Sequence, residues 1–364
     1  MQTIKFSSTV PWQKEFAATV RQRVNAYFKD KGISTKGNLY LYLQTAAMLF
    51  LYITPFVLIL TLAMSTWMAL LLVIVMGIGA AGVGMCVMHD AVHGSYSDKE
   101  WVNTLMGATM YLLGSNVFNW KIQHNVMHHA YTNIEGYDED IAVSGLIRLS
   151  QYAPLKKVHR YQYIDAFFFY GLMTLSKLTR DFSQLAKYNR DGVTQKFHIN
   201  PAMEYAKMVI IKLAYLFVLI GLPILFTNFA WWQVLLGFLV MHWTTGCILS
   251  TVFQMAHVVE GAQQFEPDEN GVIPTEWAVN EVLTTSDFAR NNSLLNWYVG
   301  GLNFQIEHHL FPNICHVHYR RIAPIVEQTT KDFGLFYNVK PSFFAALRSH
   351  VARLKELGQP PVFA

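Results

Sequence analysis

Two stretches of this chain, residues 37–89 and residues 213–259, carry no Asp, Glu, Lys or Arg. No other feature limits the possible folds so sharply. A helix crossing the hydrocarbon core of a bilayer needs about 20 apolar residues at about 1.5 Å rise each. Each window therefore holds two crossings joined by a tight turn, with Ser65-Thr66 marking the first turn and Thr227-Asn228 the second. The expected helices lie near 39–61, 67–88, 206–226 and 230–256. Helical hairpins buried in a large soluble core are the alternative. Against it, only 14% of the 364 residues are charged, compared with about 25% in soluble domains.

The basic residues set the orientation. Of 28 Lys and Arg, seven precede residue 38, eleven lie in 99–196 and eight follow residue 289. The other two, Lys207 and Lys212, stand at the start of the expected third helix, and neither turn carries one. Lys and Arg favour the cytoplasmic side, which places both termini and the long middle segment there. Trp67, Trp231 and Trp232 then fall at the opposite interface, where an aromatic belt is expected. The same bias accounts for the net charge of +4, so nucleic acid need not be invoked.

Cys86, Cys247 and Cys315 are too few and too scattered for a disulfide framework or a Cys-x-x-Cys metal site. The first 38 residues lack the apolar core of a signal peptide. Within residues 11–30, Trp12, Phe16, Val20, Val24, Tyr27 and Phe28 alternate with Lys and Arg, which reads as an amphipathic helix on the membrane surface. The chain is thus expected to be one unit, 1–364. It divides into a cytoplasmic amphipathic N-terminus (1–38), a transmembrane hairpin (39–88), a cytoplasmic or interfacial segment (89–205), a second hairpin (206–256) and a cytoplasmic C-terminal segment (257–364).

Eight of the 14 histidines cluster at the ends of these windows or close to them in the chain. His89 and His93 follow the second expected helix, and His257 ends the fourth. His124, His128 and His129 lie in the middle segment, and His308 and His309 follow Gln305. The hydrophobic ruler puts all eight on one side of the membrane at comparable depth. Pairs four apart share a helix face, but one such pair is weak evidence. Three clusters on one side point to metal, since imidazole suits iron, copper, nickel and zinc. Eight nitrogens exceed the coordination of one ion and suit two, with positions left open for oxygen or water. The chain lacks the Glu-x-x-His pairs of soluble di-iron proteins and the His-Glu-x-x-His of zinc proteases. Asp90, Asn125, Asn133, Asp138 and Asp140 are candidates to hydrogen-bond the far ring nitrogens, although Asp138-Glu139-Asp140 also reads as a solvated acidic turn. His242 lies fifteen residues before His257, about 22 Å along a helix, and reads as a satisfied core histidine. His159, His198 and His350 read as solvated or interfacial, and His316 and His318 as neighbours of the third cluster without an assigned role. Gly77-Ile78-Gly79-Ala80-Ala81-Gly82 matches the dinucleotide fingerprint, but inside an apolar helix its small residues serve close helix packing.

The three boxes, their order and their placement resemble the membrane fatty acid desaturases. Trp120-Lys121-Ile122-Gln123-His124-Asn125 through His128-His129-Ala130-Tyr131-Thr132-Asn133, with Gly136 and Asp138, is similar to the front-end branch. So is Gly301-Leu302-Asn303-Phe304-Gln305-Ile306-Glu307-His308-His309-Leu310-Phe311-Pro312, where Gln305 stands in place of the more usual His. The resemblance covers essentially the whole chain. It implies an all-α integral membrane fold, four transmembrane helices with a cytoplasmic helical cap holding a di-iron site. It also implies two non-haem irons with O2 as co-substrate, and a cis double bond placed toward the carboxyl end of an acyl chain carried on CoA, on carrier protein or in a lipid. His89, His93, His124, His128, His129, His308 and His309 would be iron ligands, with His257 as a further one and Gln305 as a weak ligand or neighbour. No His-Pro-Gly-Gly haem motif occurs, so electrons are expected from a separate ferredoxin or cytochrome-type donor at a bacterial inner membrane. An acyl-chain hydroxylase and a membrane metal transporter or sensor are the competing readings.

Overall fold

Polar side chains start three of the four membrane-length helices. A computed structural model describes residues 4–142 and 145–360. Asn38 caps the helix Leu39–Thr61 by accepting from the Tyr40 amide, and Ser65 and Asn200 accept from Met68 and Met203. Each satisfies an amide that the first helical turn leaves unbonded. Among the described residues, the helices long and apolar enough to cross a membrane are Leu39–Thr61, Thr66–Val92, Pro201–Phe226 and Trp231–His257. The third begins at Pro201, so Lys212 lies well inside it rather than at its start. That ammonium is buried and donates to the carbonyls of Gly114 and Lys177 and to Asp181 Oδ2, each at 2.8 Å.

Glycines on the second helix draw its neighbours into backbone contact. A Cβ on Gly79 would stand 2.5 Å from the Tyr52 amide nitrogen, and one on Gly77 would stand 2.9 Å from the Met241 carbonyl. The Gly77–Gly82 motif is therefore a packing surface for the first and fourth helices, as expected for small residues in a membrane bundle.

Much of the remaining described chain builds a helical cap over the ends of the second and fourth helices, with Gly171 and Thr174 reaching down beside the fourth to Gly246 and His242. It includes Gln162–Gly171 and Met173–Arg190 from the middle segment, and Trp277–Thr284, Gln305–Leu310, Tyr319–Asp332 and Phe343–Leu357 from the C-terminal segment. Two short parallel strand pairs fasten it. Lys5–Phe6 pairs with Val272–Ile273, and Asp287–Phe288 with Val339–Lys340.

The N-terminal helix corrects a sequence expectation. Pro11–Lys31 is amphipathic, but its apolar face is spent on protein. Phe16, Val20, Val24 and Phe28 are buried among Val279, Val282, Ile322 and Val326. Sequence periodicity shows that a face is apolar, and the same face serves a membrane or a neighbouring helix. His159 and His350 are also buried rather than solvated, whereas His198 is exposed. The His350 ring joins the Val258 carbonyl to the Tyr170 hydroxyl.

Candidate metal centre

The eight histidines arrive from four parts of the chain. His89 lies in the last turn of the second membrane helix, just after the π-helical segment Gly84–Met88, and His93 follows it. His257 is the last residue of the fourth. His124 and His128 lie on the π-helical segment Lys121–His128, and the His129 amide bonds the His124 carbonyl at 3.0 Å. This winding matters. In a regular helix of 3.6 residues per turn, position 129 would sit about 140° around from 124. The wider i→i+5 turn brings it back over the first, and such turns concentrate at functional sites.

His308 and His309 sit on Gln305–Leu310, held close to the second membrane helix by a glycine turn. Gly300 has φ +59°, and a Cβ there would stand 2.7 Å from the Met85 carbonyl. Only glycine permits both that backbone and that approach.

The ring nitrogens converge. His89, His93, His124 and His308 have ligand atoms within 4.8 Å of one another, as do His128, His257 and His309. His129, His308 and His309 form a third such set between them. Seven of the eight are buried, and His93 is partly exposed. The Nε2 atoms of His93, His128, His129, His257, His308 and His309 are buried without a hydrogen-bond partner. His89 Nε2 and His124 Nε2 face each other at 3.2 Å. Because His124 Nδ1 faces the Asp140 carboxylate at 2.9 Å, it holds the ring proton and leaves Nε2 a bare lone pair. A buried polar atom without a partner costs about 1–3 kcal/mol, so this many in one place fit cations.

Carboxylates behind the rings fix the tautomers. Asp138 places both oxygens 3.0 Å from His128 Nδ1, and Asp140 serves His124. The acidic turn is thus engaged rather than solvated. The third carboxylate is Glu281, 2.7 Å from His309 Nδ1 and fully buried. Sequence reading missed it, because Glu281 stands 28 positions before His309 with no motif around it. His308 Nδ1 meets the Tyr319 hydroxyl at 3.0 Å.

The other expected partners bond elsewhere. Asp90 pairs with His316 Nδ1 at 2.7 Å, and the other nitrogen of that ring meets Gln44. Asn125 donates to the Val92 carbonyl at 3.0 Å. Asn133, at φ 58°, donates to the carbonyls of His257, Gln263 and Thr284. These groups lock the boxes to one another, and their side chains hydrogen-bond none of the eight rings. Gln305 donates to the Leu302 carbonyl, leaving its Oε1 buried and unbonded. His242 is satisfied between Thr174 and Tyr215, and His318 by the Lys36 carbonyl.

Burial holds His129, His308 and His309 well below the usual imidazole range. They are therefore neutral at physiological pH, the form that ligates metal. Burial acts most strongly to lower His128, but the surrounding carboxylates, Asp138 foremost with Asp140 and Glu281, together outweigh it and lift the ring to about 8. Burial pushes the Glu281 carboxyl up to about 8 against the Thr132 hydrogen bond. That rise reflects an uncompensated charge, which a cation beyond the His309 ring would relieve.

The fatty acid desaturase family model matches residues 65–341, a span that contains all eight histidines. The chain belongs to the fatty acid desaturase family. The desaturase is 36% identical over 358 residues to an sn-1 linoleoyl-lipid 6-desaturase of Arthrospira platensis, covering 98% of this chain and 95% of that protein. It is 34% identical to a Synechocystis sp. protein of the same name, covering 98% of each. An acyl-lipid (8-3)-desaturase of Physcomitrium patens is 35% identical over 95% of this chain and 72% of its own length. The desaturase is therefore an oxidoreductase of acyl chains, with histidine clusters that could hold metal.

Proposed function

We propose that this desaturase uses two non-haem irons to insert a cis double bond into a lipid-borne acyl chain, between an existing double bond and the carboxyl end. The observation that carries the reading is the set of buried, partnerless Nε2 atoms on histidines whose ligand atoms converge within 4.8 Å in each group. The names of the relatives support the substrate class, since two act on linoleoyl-lipid and a third on an acyl-lipid. The positive-inside pattern of Lys and Arg supports a cytoplasmic position for the centre and both termini.

His89, His93, His124 and His308 would hold one iron, and His128, His257 and His309 the other, with His129 between them. When bound, the irons would supply activation of O2 and the oxidising power to remove hydrogen from an unactivated methylene. Over the whole reaction two hydrogens leave adjacent carbons. Two electrons and two protons enter from outside, and one O2 becomes two waters. The electrons would come from a separate ferredoxin or cytochrome-type donor. Asp138, Asp140 and Glu281 keep protons on Nδ1 and so present the Nε2 lone pairs inward. Trp120 is half-buried and stacks on His124 with ring centroids 4.5 Å apart. It also meets partly exposed His93 edge-on at 6.1 Å, and this open side is where an acyl chain would approach.

The test is the acyl profile of a bacterial host expressing the chain with a ferredoxin system and supplied with linoleate. Double bonds are located by mass spectrometry in separated lipid classes, with His128→Ala as control. A new bond on the carboxyl side of the existing ones, absent from the control, is the expected result. A hydroxylated chain, or an unchanged profile from iron-loaded protein across acyl donors, overturns the reading.

A further inference from the structure

The three carboxylates behind the ligand rings are unevenly distributed. The group His89, His93, His124 and His308 has one carboxylate, Asp140 on His124, together with the neutral hydroxyl of Tyr319 on His308. The group His128, His257 and His309 has two, Asp138 on His128 and Glu281 on His309. Among the described residues none of the three is paired with a lysine or arginine; their only ion-pair partners are the histidines themselves. Buried charges are paired or coordinate metals. With no lysine or arginine against them, these carboxylates match positive charge carried by the rings or placed beyond them.

Glu281 is held for this task. It lies in the helix Trp277–Thr284 with no exposed surface. One oxygen lies 2.7 Å from both His309 Nδ1 and Thr132 Oγ1, and Thr132 Oγ1 in turn lies 2.8 Å from the His128 carbonyl. The carboxylate thus ties the second and third histidine boxes together at one metal position. We infer that the two metal positions are inequivalent, with Glu281 the positioning residue that makes the His128, His257 and His309 position the tighter one. The inference rests on the two-metal reading above. It extends that reading by fixing the order of loading and by assigning a role to a residue outside the histidine boxes.

The experiment uses the full chain, purified in detergent, stripped of metal and titrated with Zn2+ against a competing chelator. Zinc takes the same imidazole donors and has no redox chemistry, so the readout is independent of turnover. The wild-type chain should bind two ions in two resolved steps. His257→Ala should remove the tighter step and His89→Ala the weaker one. Glu281→Gln keeps a hydrogen-bond acceptor and removes the charge. It should weaken the tighter step by about 10–100-fold, the usual effect of losing such a partner, and leave the other step in place. Asp138→Asn acts on the same position and should do likewise, providing a second variant if Glu281→Gln folds poorly. Asp140→Asn should weaken only the second step. Two steps of unchanged affinity in both Glu281→Gln and Asp138→Asn would overturn the inference, as would loss of the tighter step in His89→Ala. Fewer than two ions in the wild type would overturn the two-metal reading itself, and the inference with it.

Discussion

Removing Asp181 should destabilise the protein far more than removing it together with Lys212. Lys212 comes from the third membrane helix and Asp181 from Met173–Arg190. Their side chains are 7% and 1% exposed, with Nζ and Oδ2 2.8 Å apart. The pair does more than neutralise itself. Asp181 Oδ2 also accepts the Asn116 amide at 2.9 Å, and its carbonyl accepts Asn119 Nδ2 at 2.7 Å. Asn116 in turn caps the helix that leads into His124 and His128. Asp181→Asn leaves the ammonium buried without its counter-charge, a loss of about 3–5 kcal/mol. Adding Lys212→Met removes that charge. What remains is the loss of a partner for the Gly114 carbonyl, about 1–3 kcal/mol, since the Lys177 carbonyl lies inside the helix Met173–Arg190. The second substitution should therefore restore part of the loss, a coupling within the range of about 0.5–3 kcal/mol seen for contacting residues. Thermal unfolding in detergent, followed by reaction of a thiol dye with the buried Cys86 and Cys315, measures all three variants on one scale. Equal destabilisation of the single and double variants would refute the reasoning, because an uncompensated lysine would then carry no cost.

Other perturbations separate packing from chemistry. Gly79→Ala should sharply reduce the monodisperse fraction on size-exclusion chromatography, since its Cβ would meet backbone. Gly82→Ala should be tolerated, since its Cβ meets the flexible end of Met48. Phe16→Ala should lower stability by about 3–5 kcal/mol and expose the Arg21 and Arg23 bonds to trypsin, because Phe16 is fully buried. A helix lying on the bilayer would show neither effect. His242→Phe should lower the unfolding temperature, because it leaves the Tyr215 hydroxyl without its ring partner, while Thr174 keeps the His242 carbonyl. It should leave metal content measured by mass spectrometry unchanged.

Much of the fold and of the candidate site was legible because the signals are local. A charge-free window reports a membrane helix through composition alone. The histidine spacing reports a candidate metal-binding face through helix periodicity, and Asp138 and Asp140 lie close enough to the second box to be suspected. Glu281 was not legible. A lone glutamate in an otherwise unremarked helix reads like any surface acid until the fold carries it to His309. Asn125 and Asn133 were read as ring partners because they neighbour the second box. Adjacency in sequence does not say which way a side chain turns, and both turn to backbone carbonyls.

The sequence by itself determined which segments are apolar enough to leave water and which residue types line the candidate centre. These follow from the transfer of side chains and from the bonding preferences of single residues, and neither needs a partner. Only the tertiary structure decided that the N-terminal helix faces the cap rather than the lipid. It also decided that a π-turn swings His129 over His124, and that two carboxylates stand behind one histidine group against one behind the other. Each of these depends on which distant surface fills the space beside a residue. An apolar stripe, a histidine or a carboxylate carries the same chemistry toward many partners, and packing selects one.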